Sequence, residues 1–302
     1  MIENLLKNAK KKVLQYALAA SMALTYGCMD LENTTIKIEP KNEVTEYALL
    51  INGDHDIIHH ETNIQQAASK LMNIGYDENN IIYLTGQEHD PRRDKLSEHN
   101  YKPATAKSLE DAILYLRDKV DNNDLLLVYT TGHGYKKDDK SYLALFDAGL
   151  NSIGFAKLLN KIDFGQLIFV ADQCFSGGFV DKIECLDRNI IAMSDTDAEH
   201  ETYCQPFATG FWEAVGNGQY DINGDGNVNA LEAYNEGMKR MRLELSDTPE
   251  NTRGQFSMRR LNEPLLLDTA RLSNYFMPPA RIFRGTYSPI MSEDYFSLRA
   301  FQ

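Results

Sequence analysis

Short runs of aliphatic residues recur along the chain, and segments with helical periodicity separate them. The strand-like runs are Tyr47–Ile51, Ile81–Leu84, Leu125–Thr131, Leu167–Ala171 and Ile190–Met193. The helical patterns cover Asn63–Ile74, Ser108–Val120, Ser152–Asn160 and Pro206–Val215. Runs of this length and aliphatic content suit strands that are buried in a sheet. Their alternation with helices predicts an α/β fold with a doubly wound, mostly parallel sheet flanked by helices.

Two of the predicted strands run directly into residues with reactive side chains. Leu125–Thr131 leads into Gly132-His133-Gly134, and Leu167–Ala171 leads into Asp172-Gln173-Cys174. Ligand sites in sheets of this kind lie just beyond the carboxyl ends of the strands. We therefore expect His133 and Cys174 to meet at one edge of the sheet.

A cysteine and a histidine that meet in this way form a nucleophile and its general base. The thiolate attacks, and the imidazole takes up the thiol proton and later delivers it to the leaving amine. Glycines beside His133 let a substrate backbone approach closely, and the Gly134 N–H is placed to stabilise an oxyanion. A buried cysteine alone is more often structural. Both residues together, after two strongly apolar strands, predict the Cys174–His133 dyad of a cysteine peptidase.

These motifs resemble the clan of caspase-like cysteine peptidases, and the legumain family within it most closely. The resemblance rests on Thr131-Gly-His-Gly and Asp172-Gln-Cys-Phe-Ser-Gly and extends from about Tyr47 to Val215. The segment Ile58-His-His-Glu-Thr-Asn is similar to the loop after the first strand of that family, which bears a pocket histidine. The stretch 191–203 is similar to the strand and loop that form the wall of its specificity pocket. The resemblance implies a caspase-like sheet, a catalytic Cys–His dyad and hydrolysis after a chosen residue, P1.

Three departures from the legumain pattern make the implied pocket more acidic. Asp172 stands where that family has Glu, and in the related metacaspases and clostripain-like enzymes an Asp there forms the floor of a pocket for Arg or Lys. His59 replaces the arginine before the pocket histidine, which leaves His60 as the match. Glu201 replaces a small hydroxyl residue. We expect Asp172, His60 and Glu201 to bind a basic P1 residue; the alternative for Asp172 is a carboxylate that caps the following turn.

The segment from Asp221 to Glu232 matches an EF-hand-type calcium loop at every constrained position. Gly226 allows the sharp turn, and Ala230–Leu245 reads as the exiting helix. The predicted ligands are Asp221, Asn223, Asp225, Asn227 through its carbonyl, Asn229 through a water molecule, and Glu232. Because no long entering helix precedes the loop, a structural Ca²⁺ is the favoured interpretation; regulation, or an Asx-rich turn without metal, remains open. No organic cofactor is predicted.

The N-terminus has the features of an export signal. Four lysines within residues 7–12 precede an apolar run, Val13–Gly27, which Cys28 follows. A basic region, a short apolar region and small residues near a cleavage point describe a secretory signal, and the run is short for a membrane span. We expect residues 1–28 to direct export, with membrane attachment in the cell envelope through a lipidated Cys28. The alternative is an amphipathic N-terminal helix of a cytoplasmic protein.

Composition and the remaining segments complete the expected layout. The 302-residue chain has a net charge of −13, which argues against nucleic-acid binding and suits a basic peptide or protein substrate. A polar tether, residues 29–46, precedes a peptidase domain, residues 47–268, with Glu263–Leu267 as a last strand. Residues 269–302 form a tail. The remaining cysteines, Cys185 and Cys204, are able to pair in an oxidising compartment.

Three other functions fit the same residues. One is a calcium-binding, surface-anchored interaction protein without catalysis, although an intact Cys–His pair speaks against it. Another is a transamidase that passes the acyl-enzyme to an amine, as one branch related to legumain does. The third is an intracellular caspase-like regulator. Product masses with and without an added amine separate the transamidase from a hydrolase, and cell fractionation tests the third.

Overall fold

The computed structural model describes residues 44–53, 58–85, 101–202, 204–245, 253–259 and 296–298. The export segment with Cys28, nearly all of the tether, the expected strand Glu263–Leu267 and most of the tail lie outside these residues, and those interpretations stay predictions. None of the helices within the described ranges is long and apolar enough to cross a membrane.

Strands and helices are interspersed along the chain. In chain order the strands are β1 (Glu46–Asn52), β2 (Ile81–Thr85), β3 (Tyr101–Pro103), β4 (Leu125–Gly132), β5 (Gly134–Lys137), β6 (Lys140–Ala144), β7 (Ala148–Asn151), β8 (Gln166–Gln173), β9 (Ile190–Ser194), β10 (Gln255–Arg259) and β11 (Phe296–Leu298). The helices are α1 (Ile58–Asn73), α2 (Ala106–Lys119), α3 (Ser152–Leu159), α4 (Gly177–Ile183), α5 (Cys204–Ala214) and α6 (Ala230–Glu244).

The main sheet of the described residues has seven strands in the order β3-β2-β1-β4-β8-β9-β10. Every neighbouring pair is parallel except β9 and β10, which are antiparallel. A smaller antiparallel sheet has the order β11-β7-β6-β5. The fold is therefore α/β with a mostly parallel sheet, as the alternating pattern predicted.

Helices cover both faces of the main sheet, because successive side chains of a strand point to opposite faces. In β1, Leu49 and Ile51 join the core beneath α2, α3 and α4, whereas Ala48 and Leu50 join the core beneath α1, α5 and α6. All four side chains are fully buried. A strand buried on both faces reads as a continuous apolar run, which is why the sequence pattern located these strands.

One local prediction at a helix start is wrong. Helix α1 begins at Ile58, so the segment expected as a loop after the first strand forms the first turns of this helix. The N-cap of α2 is Thr105, whose hydroxyl accepts from Ser108 N. Asp111 pairs with Lys107 on the exposed face of that helix.

Candidate active site

The register of two adjacent strands places His133 and Cys174 at one edge of the sheet. Strands β4 and β8 are parallel neighbours, and their last pair joins Gly132 to Gln173. The residues that directly follow this pair are His133 after β4 and Cys174 after β8. A Cβ on Gly134 would lie 1.9 Å from the Cys174 carbonyl oxygen, so the backbones touch here and only glycine fits.

The chain turns sharply after Cys174. Phe175 has a positive φ of 60°, a left-handed conformation that costs a bulky residue about 1–2 kcal/mol. Its N–H donates to the His200 carbonyl at 2.9 Å, which holds the turn in place. Strained residues of this kind persist only where their surroundings hold them, and they concentrate at functional sites. The turn leaves Cys174 at the carboxyl end of β8, immediately before α4.

The main chain of Thr202 holds the Cys174 sulfur. The Thr202 N–H donates to Sγ at 3.4 Å, and Sγ lies 3.5 Å from the Thr202 carbonyl oxygen. Burial raises the pKa of the Cys174 thiol, the Thr202 hydrogen bond opposes that rise, and the charges of Asp195 and Glu201 add to it. The raised pKa favours the protonated thiol of Cys174, so that its use as a nucleophile would require a base to remove the proton.

His60 contacts the same edge of the sheet from α1. Its ring centroid lies 6.0 Å from that of His133, with the two planes inclined by 69°. Its Nδ1 lies 3.0 Å from the Thr131 hydroxyl, and the side chain is buried. The structure therefore brings His60 next to the His133 side of the candidate site, through a helix instead of the expected loop.

Asp172 lies fully buried beneath these residues. One carboxylate oxygen, Oδ2, accepts from Tyr129 Oη at 2.8 Å, Asn63 Nδ2 at 3.3 Å and Thr131 Oγ1 at 3.4 Å. The other, Oδ1, has no hydrogen-bond partner among the described residues. Burial and the charge of Asp195 raise the pKa of Asp172 well above its usual range. Its partners come from α1 and β4, so the alternative that Asp172 caps the following turn is wrong.

A second buried acid stands beside Asp172. Strand β9 pairs Ser194 with Ala171 of β8, and the next residues of the two strands are Asp195 and Asp172. Ser176 Oγ donates to Asp195 Oδ1 at 2.7 Å. Burial raises the pKa of Asp195 to about 7. The sequence analysis missed Asp195; the available signal was an acid directly after a buried strand.

Glu201 lies at the rim. Its side chain is exposed, yet its charge is close enough to raise the pKa of Cys174. It is thus near the candidate nucleophile without being part of the buried acidic pair. Cys185, one of the cysteines considered for pairing, is exposed and carries a free thiol; the side chain of Cys204 lies outside the described ones.

The loop from Asp221 to Glu232 folds around its own carboxylates. Asp221 accepts from the N–H groups of Gly224, Asp225 and Gly226 at 2.8, 3.3 and 2.8 Å. Positive φ values of 75° at Gly224 and 91° at Gly226 allow this tight path. Asn227 donates its N–H to Asp225 Oδ1 at 2.9 Å. This hydrogen bond does not involve the Asn227 carbonyl, which is the predicted ligand.

Glu232 joins the two ends of the loop. Its Oε1 accepts from Ile222 N at 2.9 Å and Asn223 N at 3.1 Å, and its Oε2 accepts from Asn229 N at 2.9 Å. Asn229 Oδ1 caps α6, a role that the prediction of a water-mediated ligand did not include. Across the described residues, no three His, Cys, Asp or Glu side chains gather closely enough to hold a metal ion. The oxygen donors nevertheless suit Ca²⁺ in kind.

Comparison with known proteins shows the fold alone. No protein-family model matches the chain, and no curated protein sequence matches it. The chain is similar in structure to protein GSU0716 from Geobacter sulfurreducens, with a TM-score of 0.52 and 16% sequence identity. The match covers 76% of this chain and all of that one. It agrees with an α/β fold built on a mostly parallel sheet.

Proposed function

We propose that this protein is a cysteine endopeptidase with a caspase-like fold, nearest to the legumain family, that hydrolyses peptide bonds after basic residues. The single observation that carries the proposal is the pairing of β4 with β8, whose last pair, Gly132 and Gln173, directly precedes His133 and Cys174. A thiol nucleophile and an imidazole base on adjacent strand ends suit acyl transfer. The buried acid Asp172, two residues before the nucleophile, supplies the basis for specificity.

In this mechanism His133 takes the Cys174 proton as the sulfur attacks the scissile carbonyl. A general base is needed because burial keeps Cys174 protonated at rest. The Gly134 N–H stabilises the oxyanion, and its backbone already touches that of Cys174. The imidazolium then protonates the leaving amine, which departs as the acyl-enzyme forms. Water attacks the thioester, and Cys174 is released as a thiol.

The preference for Arg or Lys follows from buried negative charge. Asp172 is fully buried and keeps one oxygen without a partner among the described residues. A cationic side chain that reaches this oxygen would form a charge-assisted hydrogen bond, which is stronger than a neutral one. Glu201 at the rim and the net charge of −13 attract the same kind of substrate. His60 lines the His133 side of the pocket.

The test is a panel of fluorogenic peptides that differ only at P1. We expect kcat/KM to be at least about tenfold higher after Arg or Lys than after neutral residues, because a charged hydrogen bond contributes about 1.5–3 kcal/mol. Product masses with and without an added amine distinguish hydrolysis from transamidation. Failure to cleave any member would favour the interaction protein, and faster cleavage after Asn or Asp would contradict the basic pocket.

We further propose that the protein works outside the cytoplasm, attached to a membrane through lipidated Cys28, and that a Ca²⁺ ion binds the loop from Asp221 to Glu232. In an exported protein this loop would be exposed to calcium at about millimolar concentration, enough to fill a site in the affinity range of extracellular modules. Three carboxylates, from Asp221, Asp225 and Glu232, with Asn at the other side-chain positions, make a weakly charged ligand set. We expect a dissociation constant of about 10⁻⁴–10⁻³ M, the range of extracellular modules.

Calcium should stabilise the native protein. An ion that binds only the native state adds about 2.7 kcal/mol to the free energy of unfolding at a hundredfold excess over the dissociation constant. We expect EDTA to lower the melting temperature and Glu232→Gln to abolish the calcium-dependent increment. Glu244→Gln, at the far end of α6, is the matched control and should keep the increment. If EDTA stopped turnover without changing the melting curve, calcium would be a regulator and not a structural ion.

A further inference from the structure

A short segment after β9, residues 197–202, contacts the turn at Cys174 through two main-chain groups; we call it the clamp segment. The Thr202 N–H donates to Cys174 Sγ at 3.4 Å. Two residues earlier, the His200 carbonyl accepts from Phe175 N at 2.9 Å. The sulfur and the residue after it are thus held by the same stretch of backbone, so a shift of this stretch would move Cys174.

The conformation of Phe175 makes the turn depend on that hydrogen bond. Its φ of 60° lies in the left-handed region, which is unfavourable for a bulky residue. A strained backbone persists only where its surroundings hold it. If the His200 carbonyl moved away, Phe175 would relax towards a negative φ and carry Cys174 out of its present position.

Two side chains anchor the clamp segment at the ring of His200. The ring Nδ1 lies 2.7 Å from Asp197 Oδ1, and Arg253 Nη1, just before β10, lies 3.1 Å from Nε2. A guanidinium only donates hydrogen bonds, so Nε2 accepts and Nδ1 carries the proton that Asp197 accepts. Partial burial alone would raise the pKa of Asp197, but hydrogen bonds from His200 and from Glu199 N lower it. The ring therefore meets a charged carboxylate on one side and a guanidinium on the other.

The rest of the clamp segment is held by neighbouring elements. A Cβ on Gly177, the first residue of α4, would lie 2.6 Å from the Asp197 carbonyl carbon, so the two backbones are in close contact. Glu199 pairs with Lys136 of β5. The segment is thereby tied to α4 and β5, the elements that follow the two proposed catalytic residues.

Resting on the proposed function, we infer that His200 is a positioning residue for the Cys174 sulfur. Its ring is the anchor, and its carbonyl keeps Phe175 in the left-handed conformation. His200 acts through the main chain of the turn and takes no part in the transfer of protons or of the acyl group. The anchored ring opposes the strain that the turn would otherwise release.

The first test measures kcat and KM of His200→Ala on the best peptide of the P1 panel. We expect kcat to fall at least about tenfold while KM changes less than about threefold, because a displaced sulfur slows attack without removing substrate contacts. His200→Asn keeps an amide N–H for Asp197 and should restore much of the rate. Asp163→Asn, which breaks an exposed pair with Arg188 ahead of β8, should change neither constant. An unchanged kcat in His200→Ala would overturn the inference.

A second variant tests the strain itself. Glycine adopts the φ of 60° without a steric cost, so Phe175→Gly removes the tendency of the turn to relax. His200→Ala should therefore reduce kcat by a much smaller factor in the Phe175→Gly protein than in the wild type. Melting temperatures show whether each variant is folded. The same factor in both backgrounds would mean that His200 has a purely structural role, and would overturn the inference.

Alkylation of Cys174 tests the clamp segment without any need for peptidase activity. Iodoacetamide is added to the full-length protein, and the mass of the peptide that contains Cys174 gives the rate. In Arg253→Ala, whose replaced side chain is half-exposed, the rate should rise at least about threefold, because a loosened segment uncovers the sulfur and burial is the main cause of the raised thiol pKa. An unchanged or slower rate would overturn the inference even if peptides were cleaved. A faster rate, with no peptide cleaved by the wild type, would support the positioning of the sulfur and refute the proposed peptidase.

Discussion

Replacing Cys174 by alanine should reduce peptidase activity by a factor of about 10³ or more, because the proposed acyl-enzyme forms on its sulfur. His133→Ala should cause a loss of similar size, since the partly buried Cys174 thiol has a raised pKa and needs a base. Residues that act as one unit give non-additive losses. The double variant should therefore be scarcely worse than either single one. Initial rates on the best peptide of the P1 panel measure all three.

Two controls show whether these losses are chemical. Cys185→Ala removes an exposed free thiol on α4's C-terminal side and should leave the rate unchanged. Circular dichroism and melting temperature should show that Cys174→Ala and His133→Ala remain folded. Activity that survives in Cys174→Ala would refute the proposed nucleophile. Loss of activity in the Cys185 control would show that thiol replacement perturbs the protein in another way.

The Asp172→Asn variant should lose most of its preference for basic P1 residues. If the charged hydrogen bond is direct, its loss costs about 1.5–3 kcal/mol, which lowers kcat/KM for Arg peptides about 10- to 150-fold. Cleavage after neutral residues should change much less. The P1 panel measures the ratio. Asp187→Asn, an exposed acid paired with Arg259, is the matched control and should keep the wild-type ratio.

The same substitution has a predictable effect on stability. The folded-state pKa of Asp172 is raised above its unfolded value, so the folded protein loses stability as pH rises from the unfolded pKa towards the folded one. Asn removes this loss, although it also replaces the acceptor of the Tyr129, Asn63 and Thr131 hydrogen bonds with a weaker one. We expect the stability of Asp172→Asn relative to wild type to increase as pH rises over that window. A relative stability independent of pH, together with an unchanged Arg preference, would show that Asp172 is only structural.

The sequence alone was enough to predict five strands of the main sheet, β1, β2, β4, β8 and β9, and the two strand ends that His133 and Cys174 follow. Strands β4 and β8 are buried on both faces, so each appears as an unbroken apolar run whose end is easily located. His133 and Cys174 follow these runs directly, and parallel strands bring their carboxyl ends to one edge. Such inferences depend on local periodicity and on one general rule of sheet geometry.

The tertiary structure decided what surrounds Cys174. Strand order is set by contacts distant in sequence, and only the pairing of β8 with β9 makes Asp195 a neighbour of Asp172. His60 reaches His133 because α1 begins earlier than its periodicity suggested. The raised pKa of Cys174 likewise comes first from burial, which the whole fold creates. The sequence determined which chemical groups stand at the strand ends, whereas packing between distant segments determined their partners, their solvation and therefore their protonation.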